Sequence, residues 1–300
     1  MIHNTYIQRE QTSIPLLKRK FYIVGLNLMK IGMFTSGYQR NPLEDIFKDA
    51  KRFGYDYIEL WGGRPHAYAP DLKAGEINEI KRMIDKYQIP VIGYTPEHNA
   101  YPYNFMIGSE LQRQDAVNYL KLSMDMGKEM GADFTLMSPA NAGYLATSEE
   151  IWKRLIKTMR ELTEYAEKIE HKIVLEALTP FESNVCKSAN DLADIFKEVN
   201  SPWLLGMCDV VPPFLQHESI MAYFDKLGEK MYHMHIIDSD GNSDTHVLPG
   251  EGVLPLQEML QELKEIGYEG TATLELVTAY INEPRFYARR AINNIRNLMK

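Results

Sequence analysis

Four residues of the types that bind divalent metal ions follow one another at intervals of 33, 26 and 40 residues: Glu176, Asp209, His235 and Glu275. Each lies near the C-terminal end of a short apolar segment. A buried, unpaired carboxylate is costly or is forced to take up a proton, and converging carboxylates repel one another. A divalent cation removes both penalties, so we predict that these four residues together hold one metal ion.

The donor types narrow the choice of ion only in part. Three carboxylates and one imidazole suit Mn²⁺, Co²⁺, Ni²⁺, Fe²⁺ or Zn²⁺, and they differ from a thiolate site. Taken singly, such a glutamate is usually a salt-bridge or capping residue, and such a histidine is usually a satisfied core residue. The metal interpretation therefore depends on all four standing in register. His233 shares a strand face with His235 by alternation, and we expect it to lie deeper as a supporting or core residue.

The segments between these residues alternate between strand and helix from Met29 onward. Eight strand–helix pairs follow in order, and strands separated by helices must be parallel. Eight pairs in about 270 residues favour an α/β fold that closes into a single (β/α)8 TIM barrel over an open doubly wound sheet. No glycine-rich phosphate fingerprint follows the first strand. In such barrels the active site lies at the C-terminal ends of the strands, which is where the four residues would meet.

The chain has two regions that differ in composition. Residues 29–300 are predicted to form one catalytic barrel domain. Residues 1–28 are polar and then basic around Lys18–Lys20, and they are predicted to be a poorly ordered N-terminal extension. The alternative is a short strand or helix packed against the bottom of the barrel.

The overall composition excludes several classes of protein. The 300-residue chain has a net charge of -8, which disfavours a nucleic-acid partner because phosphate binding needs a basic surface. Two cysteines are too few for a disulfide framework, and no apolar run reaches the length of about 20 residues that a membrane helix needs. The first residues lack the pattern of a signal peptide. We therefore expect a cytoplasmic protein that binds neither a membrane nor nucleic acid.

Several longer motifs carry a family resemblance. The patterns LExLxxxExN, MCDVV, HxHIxDSDG, HxxPGEG and LELVT stand at or just after the predicted strand ends. Together they resemble the xylose-isomerase-like barrel superfamily and, within it, the ketose 3-epimerases related to D-tagatose 3-epimerase. The resemblance spans residues 29–300, and residues 1–28 fall outside it.

The resemblance implies a role for each site residue. Glu176, Asp209, His235 and Glu275 match the family's metal ligands, and Glu176 and Glu275 match its acid/base pair. Glu182 falls at the position of a glutamate that contacts substrate hydroxyls. The implied reaction is metal-dependent epimerisation at C3 of a ketose derivative, in which the ion stabilises an enediolate. The protein is therefore expected to be an isomerase, and a homo-oligomer.

One departure from the family pattern concerns the substrate. Tagatose-type enzymes place a histidine and an arginine where this chain has Pro212 and Gly241. His246 is predicted to take over as a polar substrate contact. The departure argues against a free hexulose as the natural substrate. The motif resemblance is closer to a member of the family that acts on a small sugar-amine, and it implies that class of substrate here.

The far end of such a substrate would meet loops after the second and third strands. Arg64 and His66 are predicted to contact it, with walls from Tyr94, Tyr101 and Tyr103. The alternative is that these loops only shape the rim or an oligomer interface. Other functions considered for this barrel are a sugar isomerase, an inosose-type dehydratase, an abasic-site endonuclease and a non-catalytic sugar sensor.

Overall fold

Eight parallel strands close into a barrel in the computed structural model, which describes residues 29–100 and 102–300. Each strand pairs with the next in sequence, and the first pairs with the last. The strands are Lys30–Phe34 (β1), Tyr57–Trp61 (β2), Val91–Thr95 (β3), Phe134–Met137 (β4), Lys172–Leu175 (β5), Leu204–Asp209 (β6), Met231–Ile236 (β7) and Thr271–Leu274 (β8). The prediction of a (β/α)8 barrel is confirmed. The extension predicted for residues 1–28 lies outside the described residues.

One main helix follows each strand. The helices are Leu43–Phe53 (α1), Ile77–Tyr87 (α2), Glu110–Met130 (α3), Ser148–Ile169 (α4), Ala189–Val199 (α5), Met221–Leu227 (α6), Leu256–Glu265 (α7) and Pro284–Leu298 (α8). Shorter helical turns occupy Ser36–Tyr38, Ala69–Asp71, Leu72–Glu76, Val211–Leu215, Gly228–Lys230 and Thr278–Tyr280. None of the helices in the described ranges combines the length and the apolar character needed to cross a membrane.

Local sequence signals set where the longer helices begin. The side chains of Ser109, Thr147 and Ser188 each accept a hydrogen bond from a backbone N–H of the first turn, and their own backbone N–H groups each donate one to a side chain of that turn. These capping boxes satisfy backbone donors that the helix itself leaves free. The helices then pack their apolar sides on the outer face of the barrel, which holds the strand ends in place.

The inside of the barrel is apolar toward its base and polar toward the C-terminal ends of the strands. A small cluster formed by Phe134, Leu136, Val174 and Met207 is buried in the lumen. The ring of Phe134 contacts that of His233 at a centroid distance of 4.9 Å, so this apolar floor supports the first polar side chain above it. The strand ends above His233 are thereby held against a close-packed base.

A buried histidine below the mouth predicts a pH-dependent stability. His171 precedes β5, with its Nε2 2.9 Å from Thr135 Oγ1, and burial, with Lys128 and Lys172 nearby, lowers its pKa to about 4. Below pH ~6.5 the unfolded chain takes up a proton here while the folded chain does not. We expect the free energy of unfolding to fall by up to about 1.4 kcal/mol per pH unit from this site between pH ~6.5 and ~4.

Urea unfolding at pH 7, 6 and 5 measures this effect. His171→Gln should reduce the slope of stability against pH. His217→Asn, a change at an exposed histidine with φ of 57°, is the matched control and should keep the wild-type slope. Equal slopes for His171→Gln and the wild type would contradict the expectation.

Candidate metal centre and substrate cavity

The four predicted metal ligands meet at the C-terminal mouth of the barrel. Asp209 is the last residue of β6 and His235 lies in β7, while Glu176 and Glu275 directly follow β5 and β8. One ligand atom from each lies within 4.8 Å of the ligand atoms of the other three. Parallel barrel strands end on the same rim, so residues far apart in sequence converge here. The structure thus brings together the set that the spacing suggested.

His235 is the centre of this cluster. Its Nδ1 lies 3.1 Å from Glu275 Oε2 and 3.4 Å from Glu176 Oε1, and its side chain is only 1% exposed. Asp209 accepts a hydrogen bond at Oδ1 from the Val211 backbone N–H at 2.7 Å. That bond orients the Asp209 carboxylate and leaves its other oxygen for a cation.

The electrostatics of the cluster match a cation site. Burial, and then the nearby Glu275 carboxylate, raise the pKa of Asp209 well above its usual value, and burial also raises that of Glu176. Burial acts to raise the pKa of Glu275, but His235 and His246 outweigh it and lower the pKa to about 2. Burial disfavours a charged His235, yet the Glu59 and Glu275 carboxylates raise its pKa well above the usual value. Carboxylates that are crowded and buried in this way fit a divalent ion.

The cluster opens into a cavity of about 370 Å³. Among the described residues, the cavity lining holds no Lys or Arg but six carboxylates: Glu97, Glu176, Glu182, Asp209, Asp244 and Glu275. Another hollow, of about 460 Å³, lies on the outer surface beside Trp152 of α4. We place the site in the mouth cavity because the converging carboxylates and imidazole line it.

Two of the predicted substrate contacts line this cavity. Glu182 accepts hydrogen bonds from the N–H and hydroxyl of Thr179 at 3.3 and 2.9 Å, and burial, followed by Asp244 and Glu176, raises its pKa to about 7. His246 is 9% exposed, with Nδ1 3.3 Å from the Glu275 carbonyl oxygen. Pro212, one of the departures from the family pattern, also lines the cavity.

The other two predicted contacts point elsewhere. Arg64 donates two hydrogen bonds to Asp71 at 2.6 and 2.8 Å, and His66 is buried with Nε2 2.7 Å from the Asn41 carbonyl oxygen. Neither lines the cavity. The geometry therefore gives no support to Arg64 and His66 as substrate contacts.

The predicted tyrosine walls are also absent from the described lining. Tyr94 donates to the Ala67 carbonyl oxygen at 2.6 Å, and the Tyr103 hydroxyl pairs with that of Tyr68 at 2.7 Å. Tyr101 lies outside the described residues. Tyr94 and Tyr103 therefore give no support to the predicted recognition of the substrate's far end.

A single buried aspartate shapes the loop that carries His246. Asp238 accepts hydrogen bonds from the backbone N–H groups of Ser239, Gly250 and Leu254 at 2.9, 2.9 and 3.0 Å. A Cβ at Gly252 would lie 2.3 Å from Asp238 Oδ1, so this position has no room for a side chain. The DSDG and PGEG motifs are thus explained as one folded loop over the mouth.

Sequence reasoning missed Glu59 of β2. Its fully buried carboxylate lies 3.0 Å from His233 Nε2 and 3.1 Å from His235 Nε2, and it accepts a hydrogen bond from Thr95 Oγ1 at 2.6 Å. Glu59, His233 and His235 form a second group with metal-ligand atoms in range. We interpret this group as a buried hydrogen-bonded support, because neither Glu59 nor His233 lines the described mouth cavity. The available signal was a glutamate inside the otherwise apolar YIELW strand.

The fold and the mouth cluster define a TIM barrel with a candidate metal centre, and known proteins share the barrel. The chain belongs to the xylose isomerase-like TIM barrel family, whose model matches residues 47–298. It is 55% identical over 271 residues to the fructoselysine 3-epimerase of Escherichia coli O157:H7, covering 90% of this chain and 98% of that protein. The fructoselysine 3-epimerase of Shigella flexneri matches with the same identity and coverage.

Solved structures agree on the fold. A D-psicose 3-epimerase from Clostridium cellulolyticum H10, solved with D-tagatose, superimposes with a TM-score of 0.75 at 18% identity, covering 91% of this chain and all of that one. A 3-keto-D-glucoside 4-epimerase from E. coli gives the same TM-score and identity. At this identity the likeness concerns the barrel alone.

Proposed function

We propose that this protein is a divalent-metal-dependent ketose 3-epimerase that interconverts fructoselysine and its C3 epimer, psicoselysine. The observation that carries the proposal is the approach of two glutamates, Glu176 and Glu275, to His235 Nδ1 at the mouth cavity. The identity of 55% over almost the whole length of two fructoselysine 3-epimerases supports the choice of substrate.

The reaction needs a proton acceptor and a proton donor at C3. C3 of a 2-ketose is α to the carbonyl group, so one carboxylate can take the C3 proton while the C–H electron pair moves into an enediolate. The second carboxyl group then returns a proton to the opposite face, and the ketone reforms with no net oxidation. Glu176 and Glu275 follow strands β5 and β8, and they are suited to act from two sides of one substrate.

The metal centre would stabilise the charge that develops in this reaction. An ion held by Glu176, Asp209, His235 and Glu275 would act as a Lewis acid and offset negative charge that develops on the sugar oxygens. Glu182 and His246 line the same cavity and are suited to hydrogen-bond the sugar hydroxyls. Hydrogen bonds from Glu182 and His246 would fix the sugar's orientation over the two glutamates.

The charge of the cavity favours an amine-bearing sugar over a neutral hexulose. Beyond the three carboxylates assigned to the ion, Glu97, Glu182 and Asp244 also line the described part of the cavity. No Lys or Arg of that lining balances them. The protonated amine of fructoselysine would supply the missing positive charge. The same lining disfavours a nucleic acid, whose phosphates would be repelled.

A labelling experiment tests the proposed reaction. Metal-reconstituted protein is incubated with fructoselysine in D₂O, and the products are followed by NMR. We expect psicoselysine with deuterium at C3. A product with its carbonyl carbon at C1, carrying deuterium at C2 or no deuterium at all, would indicate an isomerase instead, and loss of water would indicate a dehydratase. If metal-loaded protein gives products without deuterium at C3, the proposal is overturned.

A single substitution tests recognition of the amine. Glu97 is exposed at the cavity wall and accepts a hydrogen bond from Trp61 Nε1 at 3.1 Å. Glu97→Gln should raise KM for fructoselysine by about tenfold, the scale of one charge-assisted hydrogen bond, with a smaller change in kcat. Glu262→Gln, the same change at an exposed position of α7, should leave KM unaltered. An unchanged KM in Glu97→Gln would show that this carboxylate does not bind the amine.

A further inference from the structure

The two ring nitrogens of His235 face different carboxylates. Nδ1 faces the metal cluster, 3.1 Å from Glu275 Oε2 and 3.4 Å from Glu176 Oε1. Nε2 lies 3.1 Å from both oxygens of Glu59, which belongs to β2 and is fully buried. An imidazole that binds a cation through Nδ1 must carry its proton on Nε2. Glu59 is placed to accept that proton in a hydrogen bond.

The surroundings of Glu59 indicate an ionised acceptor. Three donors converge on its carboxylate: Thr95 Oγ1 at 2.6 Å, His233 Nε2 at 3.0 Å and His235 Nε2 at 3.1 Å. His233 can donate through Nε2 because its Nδ1 lies 2.7 Å from the hydroxyl of Thr271, which can donate to it. A carboxylate that three donors approach is satisfied when it is charged.

The backbone leaves room for this side chain. Glu59 pairs in register with Gly93 of β3, and a Cβ at Gly93 would lie 2.9 Å from Glu59 Cγ. Below it, His233 rests on Phe134. The carboxylate is therefore held from the side by a close backbone approach and from below by a packed ring.

We propose that Glu59 is a positioning residue for the metal centre: it holds His235 as the Nε2–H tautomer, with the Nδ1 lone pair aimed at the ion. The inference rests on the proposed metal centre and adds a residue that the four-ligand set does not include. An anionic partner behind a ligating imidazole fixes the ring and makes it a better donor, and loss of such a partner typically weakens metal binding by about 10- to 100-fold.

Glu59→Gln tests this role directly, because the amide keeps the shape of the side chain but replaces one acceptor oxygen by a donor NH₂ group. Only one oxygen remains for three donors, and the amide NH₂ group would face an N–H of His233 or His235. If His235 relieves the conflict by moving its proton to Nδ1, the lone pair that binds the ion is lost. We expect Mn²⁺ affinity, measured by calorimetric titration, to fall by about 10- to 100-fold.

A second readout separates positioning from general destabilisation. In Zn²⁺-loaded protein, ¹⁵N-resolved NMR of the histidine side chains should show a slowly exchanging Nε2–H at His235 in the wild type and its loss in Glu59→Gln. Glu262→Gln removes the same charge from an exposed position of α7 and should keep both the affinity and this signal. Glu59→Asp keeps the charge on a shorter side chain and should show a smaller loss of affinity than Glu59→Gln.

Each outcome decides the inference. Affinity in Glu59→Gln within about twofold of the wild type would overturn it and leave the proposed epimerase standing. If Glu59→Gln does not fold, Glu59→Asp decides: weaker Mn²⁺ binding with a retained Nε2–H supports the inference, and unchanged affinity overturns it. Wild-type protein that binds neither Mn²⁺ nor Zn²⁺ would overturn the metal centre and this inference together.

Discussion

Glu176→Gln and Glu275→Gln are each expected to lower the rate of C3 epimerisation by about 10²- to 10⁴-fold, the range for loss of a general acid or base. The physical reason is that inversion needs a proton acceptor on one face of C3 and a donor on the other. With one carboxylate converted to an amide, only one face keeps a group that can exchange protons. The measurement is turnover of fructoselysine by protein whose metal content has been determined.

The two-glutamate scheme also predicts a more specific result for Glu176→Gln and Glu275→Gln. A variant with one functional carboxylate should still exchange the C3 proton of one epimer with D₂O without forming the other epimer. Glu262→Gln of α7 is the control and should epimerise at the wild-type rate. Near wild-type epimerisation by either metal-loaded site variant would show that two glutamates do not share the proton transfers.

Removal of the metal is the second large effect expected. Chelation should reduce epimerisation to the background rate, and Mn²⁺ should restore it, because the four converging side chains are suited to a cation. Without a cation, burial and then the Glu275 carboxylate raise the pKa of Asp209, which favours the protonated form of Asp209. Binding should also stabilise the fold, by about 2.7 kcal/mol when free Mn²⁺ is 100 times its Kd.

Asp209→Asn provides the matched test of this stabilisation. The amide can still accept the hydrogen bond from the Val211 N–H, but it lacks the charge that a cation would offset. Thermal unfolding with and without Mn²⁺ should therefore show a much smaller gain for the variant than for the wild type. Full activity after chelation, with no residual metal by elemental analysis, would contradict a metal-dependent reaction.

The barrel and its four converging residues could be predicted because both depend on local and periodic signals. Strand-length apolar segments alternate with helical ones, and parallel strands joined by helices end on one rim. Residues at those ends, such as Asp209 and Glu275, must therefore come close whatever the details of packing. The loop motif around Asp238 could be recognised as a pattern, but its three backbone hydrogen bonds became visible only in the folded chain.

The roles of Arg64 and Glu59 could not be predicted in the same way. Arg64 stands in a loop after β2, between Gly63 and Pro65, and its sequence position equally suits a substrate contact or the ion pair with Asp71 that the structure shows. Glu59 bonds to residues 174 and 176 positions away, so nothing near it in sequence reveals its partners. The spacing of the four candidate ligands along the sequence predicted a histidine at the mouth, but it did not reveal which ring nitrogen faces which carboxylate.

The amino-acid sequence alone determined the eight-unit barrel and the set of four side chains at its mouth, since periodicity and strand order are properties of the chain itself. Tertiary structure decided which nitrogen of His235 meets the cluster, that Glu59 lies behind it, and that the described cavity wall holds carboxylates without Lys or Arg. These features depend on side-chain directions and on contacts between distant strands, and both are set only when the barrel closes.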